Sequence, residues 1–318
     1  MHLPSTKNRP ADVPGGEPSS FRAVLADVED FWTPLPDKPE ETPERLLSAL
    51  WSTACGAPVS ADRAVPAALP ALGGASLERL RGLMERKKAG VPLAHLTERQ
   101  TFLGIDLLAG PEALIPRKET EILGRAALVK IGCMARKRGA LLVLDVCTGS
   151  ANLALAYAYY EPQASVYASD LSPEAVELAR RNVKFMGLDK RVEVRVGDLL
   201  EPFESPQFAG RCDFLSCNPP YISTAKVKEM HPEISRYEPE AAFNGGVYGV
   251  SILMKLLKNA PRFLRPGGWL GFEVGHGQGA GLARQLERNP AYAAVETYSD
   301  PGGEIRAILA KSRHVIPA

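Results

Sequence analysis

Apolar and polar positions divide the chain into a helical first part and a second part in which strands and helices alternate. Between Phe21 and Trp32 the apolar residues recur at spacings of three, four and seven, which is typical of one face of an amphipathic helix. A segment that begins at Pro43 and another from Leu77 to Met84 are also helical in pattern. We therefore predict a small helical domain over residues 21–92. Residues 1–20 are rich in proline, glycine, serine and charge, and we expect a disordered tail there.

A short apolar segment joins the two parts. Phe102 and the apolar residues after Gly104 favour a β-hairpin within a linker of residues 93–116. The polar motif of residues 116–121 follows the hairpin and leads into an apolar helix. Thr120 is therefore expected in the first turn of that helix, near its positive end.

Over residues 117–318 short apolar strands alternate with helices. The predicted strands are Leu141–Val146, Val166–Asp170, Val192–Val196, Phe214–Cys217, Trp269–Val274, Ala293–Tyr298 and Ile305–Ala310. The predicted helices are Leu153–Tyr160, Pro173–Met186, Ile252–Phe263 and Ala280–Asn289. Apolar strands joined by helices favour a mainly parallel sheet that is covered on both faces. We therefore expect an α/β domain whose ligands bind at the carboxyl ends of the strands.

Composition is that of an ordinary globular protein. The chain has 318 residues, of which 45% are apolar and 24% charged, and its formal net charge is +1. Proteins that bind nucleic acid usually carry a basic excess, so this charge disfavours a nucleic-acid partner. The five cysteines lack metal-ligand spacing, which favours reduced thiols, no metal site and a cytoplasmic location. No apolar run suits a membrane span, and the amino terminus lacks a secretory signal.

Polar residues follow four consecutive predicted strands. The loop of residues 145–151 comes after the first strand, and its small residues let backbone N–H groups approach a ligand. It lacks the glycine spacing of a dinucleotide-binding loop and the Gly-Lys pair of a phosphate loop. Asp170 ends the second strand, where a carboxylate either binds both hydroxyls of a ribose or caps the next helix. Asp198 and Leu199 end the third strand and suit an adenine amino group and its ring face.

The fourth strand ends in Asn218-Pro219-Pro220-Tyr221. The two prolines lack N–H donors and fix φ at about −65°, so this stretch forms a stiff loop. It presents an amide side chain, two carbonyls and an aromatic ring, which suit a planar group that carries N–H donors. An ordinary strand-ending turn has the same local signals. The position after three other polar strand ends is what favours a site.

At these motifs the chain resembles the class I methyltransferases that use S-adenosylmethionine. More narrowly, it resembles the HemK/PrmC family of glutamine N5-methyltransferases, which modify the Gly-Gly-Gln loop of peptide-chain release factors. The motifs that carry the resemblance are Gly90 to Leu93, Phe102 to Gly104, Leu114 to Glu121, Asp145 to Ala151, Asn218 to Ser223, Tyr237 to Pro239, Gly245-Gly246 and Arg265 to Gly268. The resemblance implies a Rossmann-like sheet that is mostly parallel with an antiparallel C-terminal strand.

The resemblance also implies roles for individual residues. S-adenosyl-L-methionine is the implied cofactor, and a release factor is the implied protein partner. The implied cofactor-binding residues are Arg117, Thr120, Asp145, Cys147, Thr148, Gly149, Asn152, Asp170, Leu171, Asp198, Leu199 and Asn218. The implied catalytic residues are Asn218, Pro219, Pro220 and Tyr221, and the implied substrate-binding residues are Phe102, Asn218, Pro219 and Tyr221. In this scheme the Asn218 side-chain oxygen and the Pro219 carbonyl accept the two N–H groups of the acceptor amide, and the Tyr221 ring packs against it.

Elementary chemistry agrees with that assignment. An amide nitrogen is a weak nucleophile because its lone pair is delocalised into the carbonyl, whereas a sulfonium is already an activated methyl donor. Two acceptors placed off the amide plane favour a more pyramidal nitrogen and aim its lone pair at the methyl group. Alignment and desolvation are then the main contributions of the protein, and positioning is worth roughly 7–11 kcal/mol.

The chain departs from the family pattern at several positions. Cys147 and Ala151 stand where most family members have glycine, and Lys118 stands where they have proline. Ala151 adds one methyl group, which is tolerated if its φ is negative, and Cys147 is expected to be a small buried apolar side chain. The stretch from Ile222 to His231 is expected to differ in how it meets the substrate, and the N-terminal module is proline-rich and atypical. A divergent paralogue that methylates another glutamine or a small carboxylic acid therefore stays open.

Three other functions also stay open at this point. An adenine N6-methyltransferase shares the Asn-Pro-Pro-Tyr motif but needs a basic flank and a flipped base. A small-molecule O- or N-methyltransferase would use the helical domain only as a lid, whereas a protein methyltransferase would use it to recognise a macromolecular partner. A catalytically silent scaffold protein is disfavoured by the intact motif. The residues do not define an oligomeric state.

Overall fold

The computed structural model describes residues 19–313. Its helices are α1 Ser19–Phe31, α2 Pro43–Ala54, α3 Gly74–Lys88, α4 Leu93–Thr97, α5 Thr120–Arg138, α6 Asn152–Tyr160, α7 Pro173–Phe185, α8 Thr224–Val227, α9 Pro232–Tyr237, α10 Ser251–Asn259 and α11 Gly279–Glu287. Its strands are β1 Arg99–Phe102, β2 Ile105–Leu108, β3 Leu141–Val146, β4 Ala164–Asp170, β5 Val192–Val196, β6 Cys212–Cys217, β7 Leu264–Glu273, β8 Tyr292–Ser299 and β9 Ile305–Ser312. None of the helices within this part of the chain is long and apolar enough to cross a membrane.

Seven strands form the main sheet, in the order β5-β4-β3-β6-β7-β9-β8. The first five of these strands pair in parallel, and β9 runs antiparallel to both β7 and β8. β1 and β2 form a separate antiparallel hairpin. The expected α/β sheet, mostly parallel with an antiparallel C-terminal strand, is confirmed.

Apolar side chains from both faces of the sheet form two buried cores. One face packs against α5, α6 and α7 through residues such as Ile131, Ala156 and Val183. The other face packs against α10 and α11 through Leu256 and Leu282. Such two-sided burial explains why the central strand β3 is almost continuously apolar.

The amino-terminal helices enclose a third core of their own. Phe21, Leu46, Leu50 and Trp51 are almost completely buried in it. The Phe21 and Trp51 rings pack with their centroids 5.7 Å apart. The three helices predicted from apolar spacing are therefore confirmed as α1, α2 and α3.

Some segments differ from the sequence-based expectation. Ser19 and Ser20 belong to α1, so the predicted disordered tail is wrong for these two residues, and residues 1–18 lie outside the described part of the chain. α4 lies inside the linker for which only a hairpin was predicted, and α8 and α9 follow Tyr221 where no element was predicted. These helices have six residues or fewer, which is too short for an apolar period to be recognised.

Candidate active site

The carboxyl ends of four neighbouring strands meet at one edge of the sheet. β5, β4, β3 and β6 lie side by side, and their final residues are level because Val146 pairs with both Ser169 and Cys217. The chain that leaves these strands therefore places Asp198, Asp170 and Asn218 around one edge, as expected for a doubly wound sheet.

A cavity of about 240 Å³ occupies this edge, and we call it the first cavity. All twelve residues predicted to bind the cofactor line it. They are Arg117, Thr120, Asp145, Cys147, Thr148, Gly149, Asn152, Asp170, Leu171, Asp198, Leu199 and Asn218. Apolar side chains, among them Ala175 and Ile252, complete its wall. The first cavity thus combines carboxylates with an apolar slot.

Asp145 lies at the floor of the first cavity, where it is almost completely buried. Its carboxylate accepts hydrogen bonds from the Thr148 hydroxyl at 2.6 Å and the Ser216 hydroxyl at 2.6 Å. Burial raises the pKa of Asp145 to about 6, against the opposing effect of these two donors. A buried carboxylate held in this way favours a positively charged neighbour.

Asp170 serves as an acceptor for two loops at once. Its two oxygens accept from the backbone N–H groups of Gly149 at 2.8 Å and Ser172 at 3.0 Å. Because a carboxylate offers about four lone-pair sites, Asp170 keeps acceptor capacity toward the first cavity. Both predicted uses of this residue, at a helix start and at a ligand, are therefore compatible. Asp198 lies farther out and forms an ion pair with Lys255 of α10.

The loop after β3 adopts an unusual backbone. Cys147 and Ala151, two non-glycine residues, have φ values of 56° and 66°, in the left-handed region that favours glycine. The condition under which Ala151 was expected to be tolerated, a negative φ, is therefore not met. Its methyl group is fully buried in the core beside α6, and this burial offsets part of the backbone strain. Cys147 lines the first cavity and also packs against the second core of the sheet.

A second cavity of about 290 Å³ lies on the other side of the Asn-Pro-Pro-Tyr motif. All four residues of this motif, Asn218, Pro219, Pro220 and Tyr221, line it. The residues common to both cavities are Leu114, Arg117, Asn218, Pro220 and Ala242. Asn218 therefore stands on the wall between the two cavities. Within residues 19–313 its Nδ2 donates to the Thr120 hydroxyl at 3.1 Å, and no donor binds its Oδ1.

Arg117 is the second polar residue of that shared wall. Its Nε pairs with Asp37 at 2.9 Å, its Nη2 with Glu238 at 2.5 Å, and its Nη1 donates to the Ile115 carbonyl at 2.9 Å. The guanidinium thus ties the amino-terminal part of the chain to the segment after the motif. Arg117 lines the first cavity, but its donors are committed to these partners.

Phe102 does not lie with the other predicted site residues. It is 1% exposed, belongs to the core cluster that also contains residues of the hairpin and of α5, and lines neither the first nor the second cavity. Its role as a substrate-binding residue stays a prediction. The strand alternation that identified the hairpin does not tell which face of it meets the site.

A buried ion cluster joins the amino-terminal part of the chain to α9, and it consists of Lys38, Lys87, Glu41 and Glu233. The Glu233 carboxylate binds the Lys38 ammonium at 2.6 Å and the Lys87 ammonium at 2.7 Å, while Glu41 lies 3.9 Å from Lys87. Burial alone raises the pKa of Glu233, but the two lysines outweigh it and hold this pKa below its ordinary value. Burial raises the pKa of Glu41.

Two residues behind the motif were missed by sequence reasoning. Glu273 ends β7 and accepts a hydrogen bond from the Tyr221 hydroxyl at 2.9 Å. Gln278 donates to the Tyr221 carbonyl at 3.2 Å and to the Gly249 carbonyl at 3.3 Å. A signal for Glu273 existed, since it is a carboxylate at the end of the next strand of the same edge. Gln278 sits in a loop and had no such signal.

The residues of the first cavity fit S-adenosylmethionine. Asp170 has free acceptor capacity for the two hydroxyls of a ribose, and Leu171, Leu199 and Ile252 provide apolar surface for a flat base. Buried Asp145 supplies negative charge where the methionine end, with its ammonium and sulfonium, would lie. The chemistry of this set of residues agrees with the cofactor implied by the sequence.

Comparison with known proteins agrees with the fold and identifies the family. Residues 143–237 match a family model described as a methyltransferase domain. The chain is 36% identical to the release factor glutamine methyltransferase of Moorella thermoacetica over 76% of this chain and 82% of that protein. It is 36% identical to the Geobacter sulfurreducens protein of the same name, over 73% and 77% respectively.

Solved structures resemble the chain in fold. The hMettl16 catalytic domain in complex with a 3′UTR hairpin superimposes with a TM-score of 0.52 at 15% identity, over 75% of this chain and 94% of that one. At this identity the likeness concerns the fold alone. The sequence relatives carry the family assignment: the chain is an S-adenosylmethionine-dependent methyltransferase and belongs to the release factor glutamine methyltransferase family, also called HemK/PrmC.

Proposed function

We propose that this protein transfers a methyl group from S-adenosylmethionine to the side-chain amide nitrogen of a glutamine in a peptide-chain release factor. The observation that carries this proposal is the position of Asn218 on the wall between the two cavities. A methyl donor in the first cavity and an amide in the second would meet at this side chain. The names of the curated relatives support the same acceptor.

The chain supplies two hydrogen-bond acceptors for the acceptor amide. The Asn218 Oδ1 has no donor within residues 19–313, and no described group donates to the Pro219 carbonyl either. These two oxygens would bind the two N–H groups of the amide and orient its nitrogen toward the first cavity. When bound, S-adenosylmethionine provides a methyl group on a positively charged sulfur. Burial of the motif excludes water and strengthens both hydrogen bonds.

The second cavity has the surroundings that a protein acceptor requires. It continues through Tyr221, Ile222 and Met230 into an open groove of about 640 Å³. Tyr248, on the rim of this groove, is 81% exposed. Asp37, from the amino-terminal part of the chain, also lines the second cavity. We propose that the helical domain of residues 21–92 takes part in recognising the release factor, since a small molecule would need neither the groove nor this contact.

A methyl-transfer assay tests the proposal. The protein is incubated with methyl-labelled S-adenosylmethionine and a bacterial release factor, and with the same factor in which the glutamine of its Gly-Gly-Gln loop is alanine. We expect label on the first factor and none on the second. Equal labelling of both factors, or labelling of a DNA oligonucleotide or a small carboxylic acid instead, would contradict it.

A further inference from the structure

A row of polar groups that consists of Thr120, Glu273 and Tyr221 lies next to Asn218. Glu273 is 1% exposed, and one of its oxygens accepts from the Tyr221 hydroxyl at 2.9 Å. Its other oxygen, Oε2, has no hydrogen-bond partner from residues 19–313 at normal bonding distance. Thr120, which begins α5, is 2% exposed and lies beside it, close enough for its hydroxyl to lower the pKa of Glu273. A carboxylate buried so completely calls for a physical reason.

The hydrogen-bond direction along this row follows from the chemistry of its members. Asn218 Nδ2 can only donate, so the Thr120 oxygen accepts that bond, which measures 3.1 Å. The Thr120 hydroxyl carries one proton, which is then free to point at Glu273. An ionised carboxylate can only accept, so it requires Thr120 and Tyr221 to donate toward it.

That direction determines which end of the Asn218 amide faces the substrates. If the amide were flipped, Oδ1 would face Thr120, and Thr120 would have to donate to it and abandon Glu273. An ionised Glu273 opposes this flip because a buried charge that loses a donor is costly. The favoured arrangement keeps Nδ2 on Thr120 and leaves Oδ1 toward the acceptor amide.

We propose that Glu273 and Thr120 are positioning residues that fix the Asn218 amide with its oxygen toward the acceptor nitrogen. The inference rests on the proposed function, because it assigns Oδ1 to the acceptor amide. Neither residue performs chemistry on the substrate in this scheme. Glu273 acts through Thr120 and Tyr221, and Thr120 acts through Asn218.

The charge of Glu273 is set by the groups that face it. These are Thr120 at the start of α5, Glu119 just before it, Tyr221 in the motif and Arg306 on β9, whose guanidinium pairs with Glu119 and lies 5.9 Å from the centre of the Tyr221 ring. Burial raises the pKa of Glu273 to about 7, while Thr120, Tyr221 and Arg306 act in the opposite direction. Glu273 is therefore ionised above about pH 7 and neutral below it. A neutral Glu273 can donate to Thr120 and loses its control over the Asn218 amide, so turnover should fall on the acid side.

Paired substitutions at Thr120 test the role of the hydroxyl. Thr120→Val keeps the shape but removes the hydroxyl that accepts from Asn218 and lies near Glu273, and Thr120→Ser keeps the hydroxyl. With a release factor as acceptor, we expect Thr120→Val to lower kcat about 100-fold, the size of effect that misplacing a reacting group produces. With S-adenosylmethionine at saturating concentration the acceptor KM should change little, and Thr120→Ser should restore most of the turnover.

The pH profile of Glu273→Gln tests the role of the charge. Glutamine keeps the size of the side chain but does not titrate, so we expect the loss of kcat below about pH 7 in the wild type to be absent in this variant. Its turnover should be low at every pH, because the glutamine NH₂ group lets Thr120 turn its proton toward Asn218.

Three results would overturn the inference. They are wild-type turnover in Thr120→Val, equal losses in Thr120→Val and Thr120→Ser, and an unchanged acid limb in Glu273→Gln. If Glu273→Gln does not fold, the Thr120 pair decides alone. A wild-type protein that fails to methylate the release factor would instead contradict the proposed function, so the two failures are distinguishable.

Discussion

The first and second cavities share a wall, yet they are built in different ways. The first cavity is formed by loops that leave adjacent parallel strands, and the backbone N–H groups of Gly149 and Ser172 hold the Asp170 carboxylate in it. The second is enclosed by segments far apart in sequence, which are held by buried ion pairs such as Glu233 with Lys38 and Lys87. The first cavity, which fits the cofactor that these methyltransferases share, thus depends on the sheet. The second cavity, on the side of the acceptor, depends on charged side chains.

The largest expected effect lies on the wall that the two cavities share. Asn218→Ala removes a hydrogen-bond acceptor that the proposed reaction uses. It leaves Asp145, at the floor of the first cavity, unchanged. We expect kcat to fall by about 10²–10³-fold, as for loss of one hydrogen-bonding group that stabilises a transition state. The dissociation constant of S-adenosylmethionine, measured by calorimetry, should stay within about threefold of the wild type. Near-normal turnover would show that Asn218, on the shared wall, is not needed for methyl transfer.

Glu233→Gln tests whether the second cavity depends on buried charge. The substitution leaves Lys38 and Lys87 without their shared carboxylate, and breaking a buried pair in this way costs about 3–5 kcal/mol. Because the folded pKa of Glu233 is lowered, its contribution to stability is present above its unfolded pKa of about 4.5 and is lost as the pH falls through the folded value. We therefore expect a lower Tm at pH 7 and a smaller difference from the wild type in acid.

A matched control exists on the same segment. Glu229 is exposed and forms no ion pair within residues 19–313, so Glu229→Gln should leave the Tm unchanged. If the acceptor KM rises in Glu233→Gln while the affinity for S-adenosylmethionine is kept, the two cavities are energetically separate. If the affinities for the acceptor and for S-adenosylmethionine fall equally, the ion cluster stabilises the whole molecule.

The first cavity should respond to pH through Asp145. This carboxylate is ionised above its pKa of about 6 and neutral below it, so its attraction for a cationic ligand is lost in acid. We expect the dissociation constant of S-adenosylmethionine to rise about tenfold between pH 7 and pH 5, which corresponds to about 1.4 kcal/mol. Asp145→Asn should bind more weakly and with little dependence on pH. If the dissociation constant of the wild type does not change with pH, Asp145 does not contribute to binding the charged cofactor.

The smallest expected effect concerns the strained turn after β3. Ala151→Gly relieves a left-handed φ that costs an alanine roughly 1 kcal/mol, but it also loses a buried methyl group worth about 0.8 kcal/mol. We expect the free energy of unfolding to change by less than about 1 kcal/mol. Ala154→Gly, equally buried but inside α6, should destabilise by about 2 kcal/mol because both contributions then have the same sign. Similar losses at the two positions would show that the turn stores no strain.

The contrast between the cavities also explains what the sequence could predict. Asp145, Asp170 and Asp198 each follow a strand that apolar runs reveal, and parallel strands bring such residues to one edge, so twelve lining residues could be named in advance. Lys38 and Glu233 are 195 residues apart, and no local pattern connects them. In the sequence alone, a charged loop residue that pairs with a distant partner looks the same as a charged loop residue that is solvated.

Backbone conformation was the other source of error. A negative φ at Ala151 was the condition for tolerating its methyl group, and composition does not show where a turn must pass through the left-handed region. Phe102 was assigned from its motif, and the sequence does not show that its side chain is buried in the core. Glu273 could have been predicted, because it ends β7, the strand next to the four whose final residues were considered.

The ion cluster has a consequence for building chimaeras of this enzyme family. Lys38 and Lys87 precede the hairpin, whereas Glu233 and Glu238 lie beyond the Asn-Pro-Pro-Tyr motif. Transplanting the helical domain from a relative would therefore mismatch charges across a junction that a domain map does not show. We therefore expect the exchangeable unit to be the helical domain together with the segment of residues 222–250, and acceptor preference to move only when both move together.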